Sequence, residues 1–275
     1  MTASVSKQLL PVYDKPMIHY PLSTLMSADI RRILIISQSC NLPLYRRLYG
    51  DGTRLGIKIE YAKQDEPKGL AQAFTIANDA KFLRGAVSVG LILGDNIFHG
   101  HGVEQAVVEA ACSREPTIFC TEVSHPERYG VASFDKSGKL LGIQEKPRYP
   151  PSRTAVTGLY FYPKDITHVV ERLKPSARGE LEITDVNMHY LRAGRLRAIR
   201  LPRGVAWLDT GAPDTLLQAS QYVQTIQERQ GKMVGCPEEI AFNKGWIGTR
   251  AIADLCNLYS NEYVEYLMHT CNRKK

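Results

Sequence analysis

The run at residues 86–98, Ala-Val-Ser-Val-Gly-Leu-Ile-Leu-Gly-Asp-Asn-Ile-Phe, constrains the fold more than any other stretch. It falls short of the roughly 20 apolar residues a membrane span requires, and it breaks at Gly94-Asp95-Asn96. A continuous apolar run of this length that stops at turn residues reads as a strand buried on both faces of a parallel sheet. Ligands of open α/β sheets bind outside the carboxyl ends of such strands. Asp95 stands at that end, after a glycine that lets a ligand approach the backbone, and is a candidate magnesium ligand under a phosphate. Asp and Asn also form turns, so the stretch by itself leaves a plain turn or cap open.

The flanking segments alternate strand and helix. An extended loop carrying Lys7, Pro11, Asp14 and Lys15 leads into a helix predicted from Pro16, with Met17, Ile18, Leu22, Leu25 and Met26 at helical spacing. A strand at 32–37, a helix at 42–49 and a strand at 56–62 follow. The polar loop 64–70 then runs into an Ala-rich helix whose free N–H groups suit a base edge or a phosphate, with a simple turn as the alternative. After a helix at 103–112 and a strand at 116–123, three closely spaced strands at 129–134, 139–144 and 154–162 indicate an antiparallel addition to the sheet. Thr157-Gly158 interrupts the last of them, and a glycine inside a strand often marks the close approach of another group. The acidic run at 179–185 is predicted to open a helix and complement its dipole. A strand at 196–201 precedes residues 205–211, a second apolar segment that ends in an aspartate, Asp209. A long amphipathic helix at 212–230 stops at Gly231, and the tail reads as helical, with Ile252, Leu255, Leu258, Tyr263, Tyr266 and Leu267 on its apolar faces. The sum is an α/β chain with a parallel sheet covered on both faces.

Lys plus Arg exceeds Asp plus Glu by 35 to 28, which suits anionic ligands. The basic residues are scattered apart from Arg273-Lys274-Lys275, which favours phosphate-bearing small molecules over nucleic acid. None of the six cysteines forms a Cys-x-x-Cys pair, so neither a zinc site nor a disulfide framework is indicated; most are expected to be buried thiols. With no signal peptide and no spanning segment, a reducing cytoplasm and no membrane are expected. His99-Gly100-His101 has no clustered cysteine or carboxylate beside it and reads as a loop that contains histidines.

Eight motifs occur in register: Lys7-Gln8-Leu9-Leu10-Pro11 with Asp14-Lys15-Pro16-Met17, Gly69-Leu70-Ala71-Gln72-Ala73, Leu93-Gly94-Asp95-Asn96, Glu127-Arg128-Tyr129-Gly130-Val131, Glu145-Lys146-Pro147, Val156-Thr157-Gly158-Leu159-Tyr160, Gly179-Glu180-Leu181-Glu182-Ile183-Thr184 and Trp207-Leu208-Asp209-Thr210-Gly211. Over nearly its whole length the sequence closely resembles the glucose-1-phosphate thymidylyltransferases. The resemblance implies a Rossmann-like doubly wound mixed sheet of the nucleotide-diphospho-sugar transferase type, with an antiparallel sugar-binding part at about 124–211. It implies a nucleotidyltransferase domain at 1–230 and a helical tail at 231–275 for packing or oligomer contact. The implied reaction joins dTTP and glucose 1-phosphate into dTDP-glucose and pyrophosphate, with Mg2+, in a regulated homotetramer. Asp95 and Asp209 would hold the metal. Gln64, Pro67, Gly69 and Leu70 would hold the thymine. Tyr129, Gly130, Glu145, Lys146, Val156, Thr157 and Glu180 would line the sugar phosphate pocket, and Lys7 and Lys146 would neutralise phosphate charge. Rival readings are a nucleotidyltransferase that uses UTP or another sugar phosphate, and a non-catalytic sugar-nucleotide-binding or subunit-interaction protein.

The sequence departs from the family at its start. Family members open with a strand and a Gly-Gly-x-Gly-Thr-Arg loop around the triphosphate, whereas here Met1 stands only a few residues before the Lys7 motif. Met1 is therefore expected to be an internal methionine of a longer, intact enzyme, with a natural fragment that keeps sugar-nucleotide binding, or a chain in which another segment fills the gap, as the alternatives. A chain that lacks a central strand leaves two rows of backbone groups unpaired and a core slot to fill. Such a chain is expected to be weakly active or inactive. Gln144, where the family usually carries an acidic residue, is expected to matter little.

Overall fold

The computed structural model describes residues 5–258 and 262–272. Residues 1–4 with the Met1 start, the basic end Arg273-Lys274-Lys275 and the side chain of Leu258 lie outside that description. A single helical turn at Lys7–Leu9 precedes a tiny antiparallel hairpin of β1 (Pro11–Val12) and β2 (Lys15–Pro16). Helix α1 spans His19–Ser27, so the helix predicted from Pro16 starts three residues later. Pro16 pairs with Pro11 across the hairpin, and that long-range pairing overrides its suitability for a first helical turn.

Strand β3 (Arg32–Ser37), helix α2 (Leu42–Tyr49), strand β4 (Lys58–Lys63), helix α3 (Gln72–Asp79) and strand β5 (Ser88–Ile92) continue the alternation. β3 and β4 pair in parallel, while β5 pairs antiparallel with β10. The apolar run therefore departs from expectation twice: β5 pairs antiparallel and is only half-buried, rather than lying in a parallel sheet buried on both faces, and after the turn at Gly94-Asp95 the chain continues as a new strand, β6 (Asn96–His99). Helix α4 (Val103–Cys112) and β7 (Thr117–Glu122) follow, then the antiparallel set β8 (Gly130–Phe134), β9 (Leu140–Glu145) and β10 (Thr154–Pro163). Helix α5 (Ile166–Val170), helix α6 (Ile183–Arg192), β11 (Arg197–Arg200), β12 (Ala206–Asp209) and helix α7 (Pro213–Gln230) complete the main body. The tail is α8 (Pro237–Asn243), α9 (Thr249–Leu258) and α10 (Glu262–Asn272).

β10 is the hub: β5, β7 and β8 all pair with it, and β11 lies parallel to β7. Two cores flank the sheet. One joins α1, α2 and α4 through Leu25, Tyr45, Val107 and Phe119; the other joins α3, α5 and α6 through Phe74, Val169, Val186 and Tyr162. Helices cover both faces, which is the doubly wound arrangement with an antiparallel sugar-side addition and C-terminal helices. The tail has a small core of its own around Ile252 and Leu267. Among the cysteines, Cys120, Cys236 and Cys271 are buried, and Cys40 and Cys112 are exposed. Among the described residues no helix is long and apolar enough to cross a membrane.

Candidate active site

Strand register brings the two aspartates together. Antiparallel pairing sets Asn96 opposite Asp209, so Asp95 and Asp209 end neighbouring strands at one point. Thr210 fixes the junction by donating its N–H (3.1 Å) and its hydroxyl (2.8 Å) to the carbonyl of Asp95. Asn96 is buried and works in three directions. Its amide nitrogen donates to Asp95 Oδ1 at 3.1 Å, while its Oδ1 accepts from Gly158 N at 3.0 Å and from Trp207 Nε1 at 2.6 Å. A Cβ on Gly158 would fall 2.5 Å from that Oδ1, so the glycine in the strand serves the close approach its position suggests.

Lys7 Nζ lies 2.5 Å from Asp95 Oδ2. Its turn is anchored by Ser6, whose N–H donates to Asn41 Oδ1 and whose hydroxyl donates to Gln8 Oε1. Gly94 admits the Gln8 stem, because a Cβ there would fall 2.8 Å from Gln8 Cγ. Burial, reinforced by the charge of Asp95, pushes the Asp209 carboxyl above the usual carboxylate range, and Lys7 and Arg128 oppose that shift. Two crowded carboxylates of this kind suit a divalent cation. Mg2+ keeps waters and substrate phosphates as further ligands, so two protein carboxylates suffice. Among the described residues no group of three or more His, Cys, Asp and Glu gathers for a metal. His99 faces Tyr222, with its Nδ1 2.9 Å from the phenol.

On one side of the aspartates lies the loop predicted to hold a base. Gln64 Nε2 donates to Gln72 Oε1 (2.7 Å), which also accepts from Lys68 N–H (3.1 Å). Gln64 and Pro67 line a cleft of about 950 Å³ that also reaches Lys7, Gln8 and Gly94. Leu70 is exposed, and Gly69 has φ +98°, with Leu181 O 2.4 Å from where a Cβ would sit. Leu181 straps the loop down: its N–H donates to Lys68 O and its carbonyl accepts from Ala71.

On the other side are the sugar-side residues. Tyr129 packs on Trp207 with ring centres 4.9 Å apart. Gly130 pairs with Glu145, and Lys146, in a left-handed conformation at φ +41°, donates its N–H to Tyr129 O. Glu145 Oε2 accepts from Thr184 Oγ1 at 2.5 Å. Arg178 forks onto Glu182 and reaches Glu180 (3.5 Å) and Glu145 (3.7 Å). The acidic run does open a helix, but only its end is helical: Glu180 and Glu182 stand in a loop held by Arg178, and α6 begins at Ile183 with Asp185 in its first turn. Val156 is buried, and Thr157 is buried with its hydroxyl donating to Phe119 O at 3.2 Å, so Thr157 is not brought together with the others. The resemblance assigns the stretch 179–184 to the sugar site, and Thr184 meets that expectation through its bond to Glu145. The sequence assigns no role to Asn96, Thr210 or Arg178; the first two lie inside quoted motifs and Arg178 directly precedes one, but only the folded chain shows their partners.

The chain resembles known proteins over its whole length. The Nucleotidyl transferase family model matches residues 1–226. A glucose-1-phosphate thymidylyltransferase of Xanthomonas campestris pv. campestris is 52% identical, with 99% of this chain and 92% of the relative covered. One of Mycolicibacterium smegmatis is 48% identical, with 100% and 94% covered. A Bacillus anthracis protein assigned to the same enzymes, solved with sucrose, superposes with a TM-score of 0.72 at 35% identity, covering 80% of this chain and 87% of that one. A UDP-glucose pyrophosphorylase with bound UDP-glucose, 22% identical and with a TM-score of 0.69 over 80% and 90% of the two chains, shares the fold. With motifs, sheet and similarity in agreement, the chain belongs to the nucleotidyl transferase family and is a nucleotidyltransferase of the glucose-1-phosphate thymidylyltransferase group.

Proposed function

We propose that this enzyme joins dTTP and glucose 1-phosphate into dTDP-glucose with release of pyrophosphate. The observation that carries the reading is the cluster of Lys7, Asp95 and Asp209, with a base-side loop bonded to Leu181 and a sugar-side strand pair bonded to Thr184 a few residues on. The attacking phosphate oxygen is already an anion, so no covalent nucleophile or strong base is required. The demand is to hold two repelling anions in line. Asp95 and Asp209 would hold Mg2+, which would offset charge on the bridging and leaving oxygens. Lys7 and Lys146 neutralise phosphate charge. Gln64, Pro67, Gly69 and Leu70 receive the base. Tyr129, Gly130, Glu145, Val156 and Glu180 form the sugar side, where Glu145 accepts from glucose hydroxyls and Thr184 and Arg178 aim it; Thr157 stands behind them, bonded to Phe119 O.

Pyrophosphate release with glucose 1-phosphate, magnesium and either dTTP or UTP tests the reading. Turnover should be faster with dTTP by up to roughly 10 to 200-fold, the range one methyl group supports. Faster turnover with UTP overturns the base assignment, and dTDP-glucose binding without any pyrophosphate favours a binding protein. Residues 231–275 form the contact region of a cytoplasmic homotetramer on this reading, which light scattering after size exclusion checks.

A further inference from the structure

The loop before α3 carries a fixed hydrogen-bond polarity. Gln72 is the first residue of that helix, and its side chain reaches back to the loop. Its Oε1 accepts from the Lys68 backbone N–H at 3.1 Å and from Gln64 Nε2 at 2.7 Å. A backbone N–H can only donate, so the atom of the Gln72 amide that faces it is the oxygen. The atom of the Gln64 amide that faces this oxygen must in turn be the nitrogen. Turning either amide over would set two donors against each other. The backbone at both ends of the relay is itself held. Gln64 N–H donates to Ser37 O at 2.8 Å, and Lys68 O accepts from Leu181 N–H at 2.7 Å. Among the described residues, the Gln64 side-chain oxygen and its second amide N–H have no partner.

We propose that Gln72 is a positioning residue that fixes the Gln64 amide and thereby selects thymine or uracil over cytosine. The inference rests on the reading of residues 64–70 as the base loop. Held by its nitrogen, Gln64 offers a ligand one acceptor and one donor in a set order. Thymine and uracil carry a donor, N3–H, beside an acceptor, O4. Cytosine carries the reverse, an acceptor N3 beside a donor amino group. A free glutamine amide turns over and serves either base. A locked one serves a single order, which on the proposed reaction is that of thymine, and the opposite base leaves both pairs unmade. The thymine methyl group lies outside this pairing, so Gln72 has no part in separating dTTP from UTP.

The test measures the dissociation constants of dTTP and dCTP on the full chain, with Mg2+, by calorimetry, and needs no turnover. The parent should favour dTTP by more than about tenfold. Gln72→Met keeps the side-chain length and removes the acceptor, and should bring the two constants within about threefold of each other. Gln72→Glu still accepts from both Lys68 N–H and Gln64, and should keep the parent's preference. Loss of both affinities in equal proportion in Gln72→Met makes Gln72 merely structural and overturns the proposal. So does a parent with no preference, or a preference lost equally in Gln72→Glu. Gln64→Met separates the two levels. Unchanged affinity for both nucleotides in that variant removes the base-loop reading itself, whereas a preference lost there but kept in Gln72→Met removes only the relay.

Discussion

Asp209 opposes stability to chemistry within one side chain. Its carboxyl is held above the ordinary range by burial and by Asp95, so the folded state binds this proton more tightly than the unfolded state. Stability from this group is full below the unfolded value of about 3.9 and is lost as pH rises through the raised one. At neutral pH its charge is a net cost. Asp209→Asn should raise the melting temperature at pH 7 while lowering pyrophosphate release by at least about 100-fold; a variant that melts lower and stays active contradicts both halves. His19 has the opposite sign. Burial holds it neutral, down to about 3 from an ordinary 6.5, and its ring meets the Tyr49 phenol at 3.0 Å. Its contribution is present above pH 6.5 and falls as the pH drops toward 3, by about 1.4 kcal/mol per unit. Denaturant titrations between pH 7 and 4 should show His19→Gln with a shallower acid limb than the parent. Gly69→Ala forces a side chain into φ +98° and against Leu181 O. It should cost about 1–3 kcal/mol and weaken dTTP and glucose 1-phosphate binding together, because the segment from Leu181, bonded to the base-side loop, to Thr184, bonded to Glu145, joins the two sides.

Elements with strong periodicity were legible: the helices at Leu42–Tyr49, Val103–Cys112 and Pro213–Gln230 stand where their apolar spacing placed them. The misplaced boundaries have tertiary causes. Pro16 is drawn into a hairpin with Pro11, and the first part of the acidic run, through Glu182, is held out of α6 by the Arg178 fork on Glu182. The aspartate pair was legible from two apolar segments that end alike, but its geometry depends on the pairing of β6 with β12, which no local pattern encodes. Asn96 was invisible for the same reason: its partners Gly158 and Trp207 are distant in sequence. Gly158→Ala should displace Asn96, with a loss of about 2–4 kcal/mol in stability. It should also weaken Mn2+ binding measured by electron paramagnetic resonance. Unchanged metal affinity in a folded variant separates Asn96 from the metal site.

Across the whole molecule, the tail is wired to the body through polar contacts. Lys15, almost fully buried, contacts Asp14 at 2.6 Å and Gln227 Oε1 at 2.9 Å, and it lies 5.8 Å from the Tyr263 ring centre. Tyr263 donates to Glu238, whose carboxyl burial pushes above the usual range. Tyr263→Phe leaves that buried carboxyl without its phenol, and should lower stability by about 1–3 kcal/mol with little effect on substrate affinity. Calorimetry and dTTP titration check the two halves. The Lys15 cluster joins one hairpin and three helices, α7, α8 and α10, so no member can change alone without stranding a buried polar partner. Over evolutionary time, positions 14, 15, 227, 238 and 263 should therefore drift as one inherited block, with substitutions at one accompanied by compensating substitutions at the others.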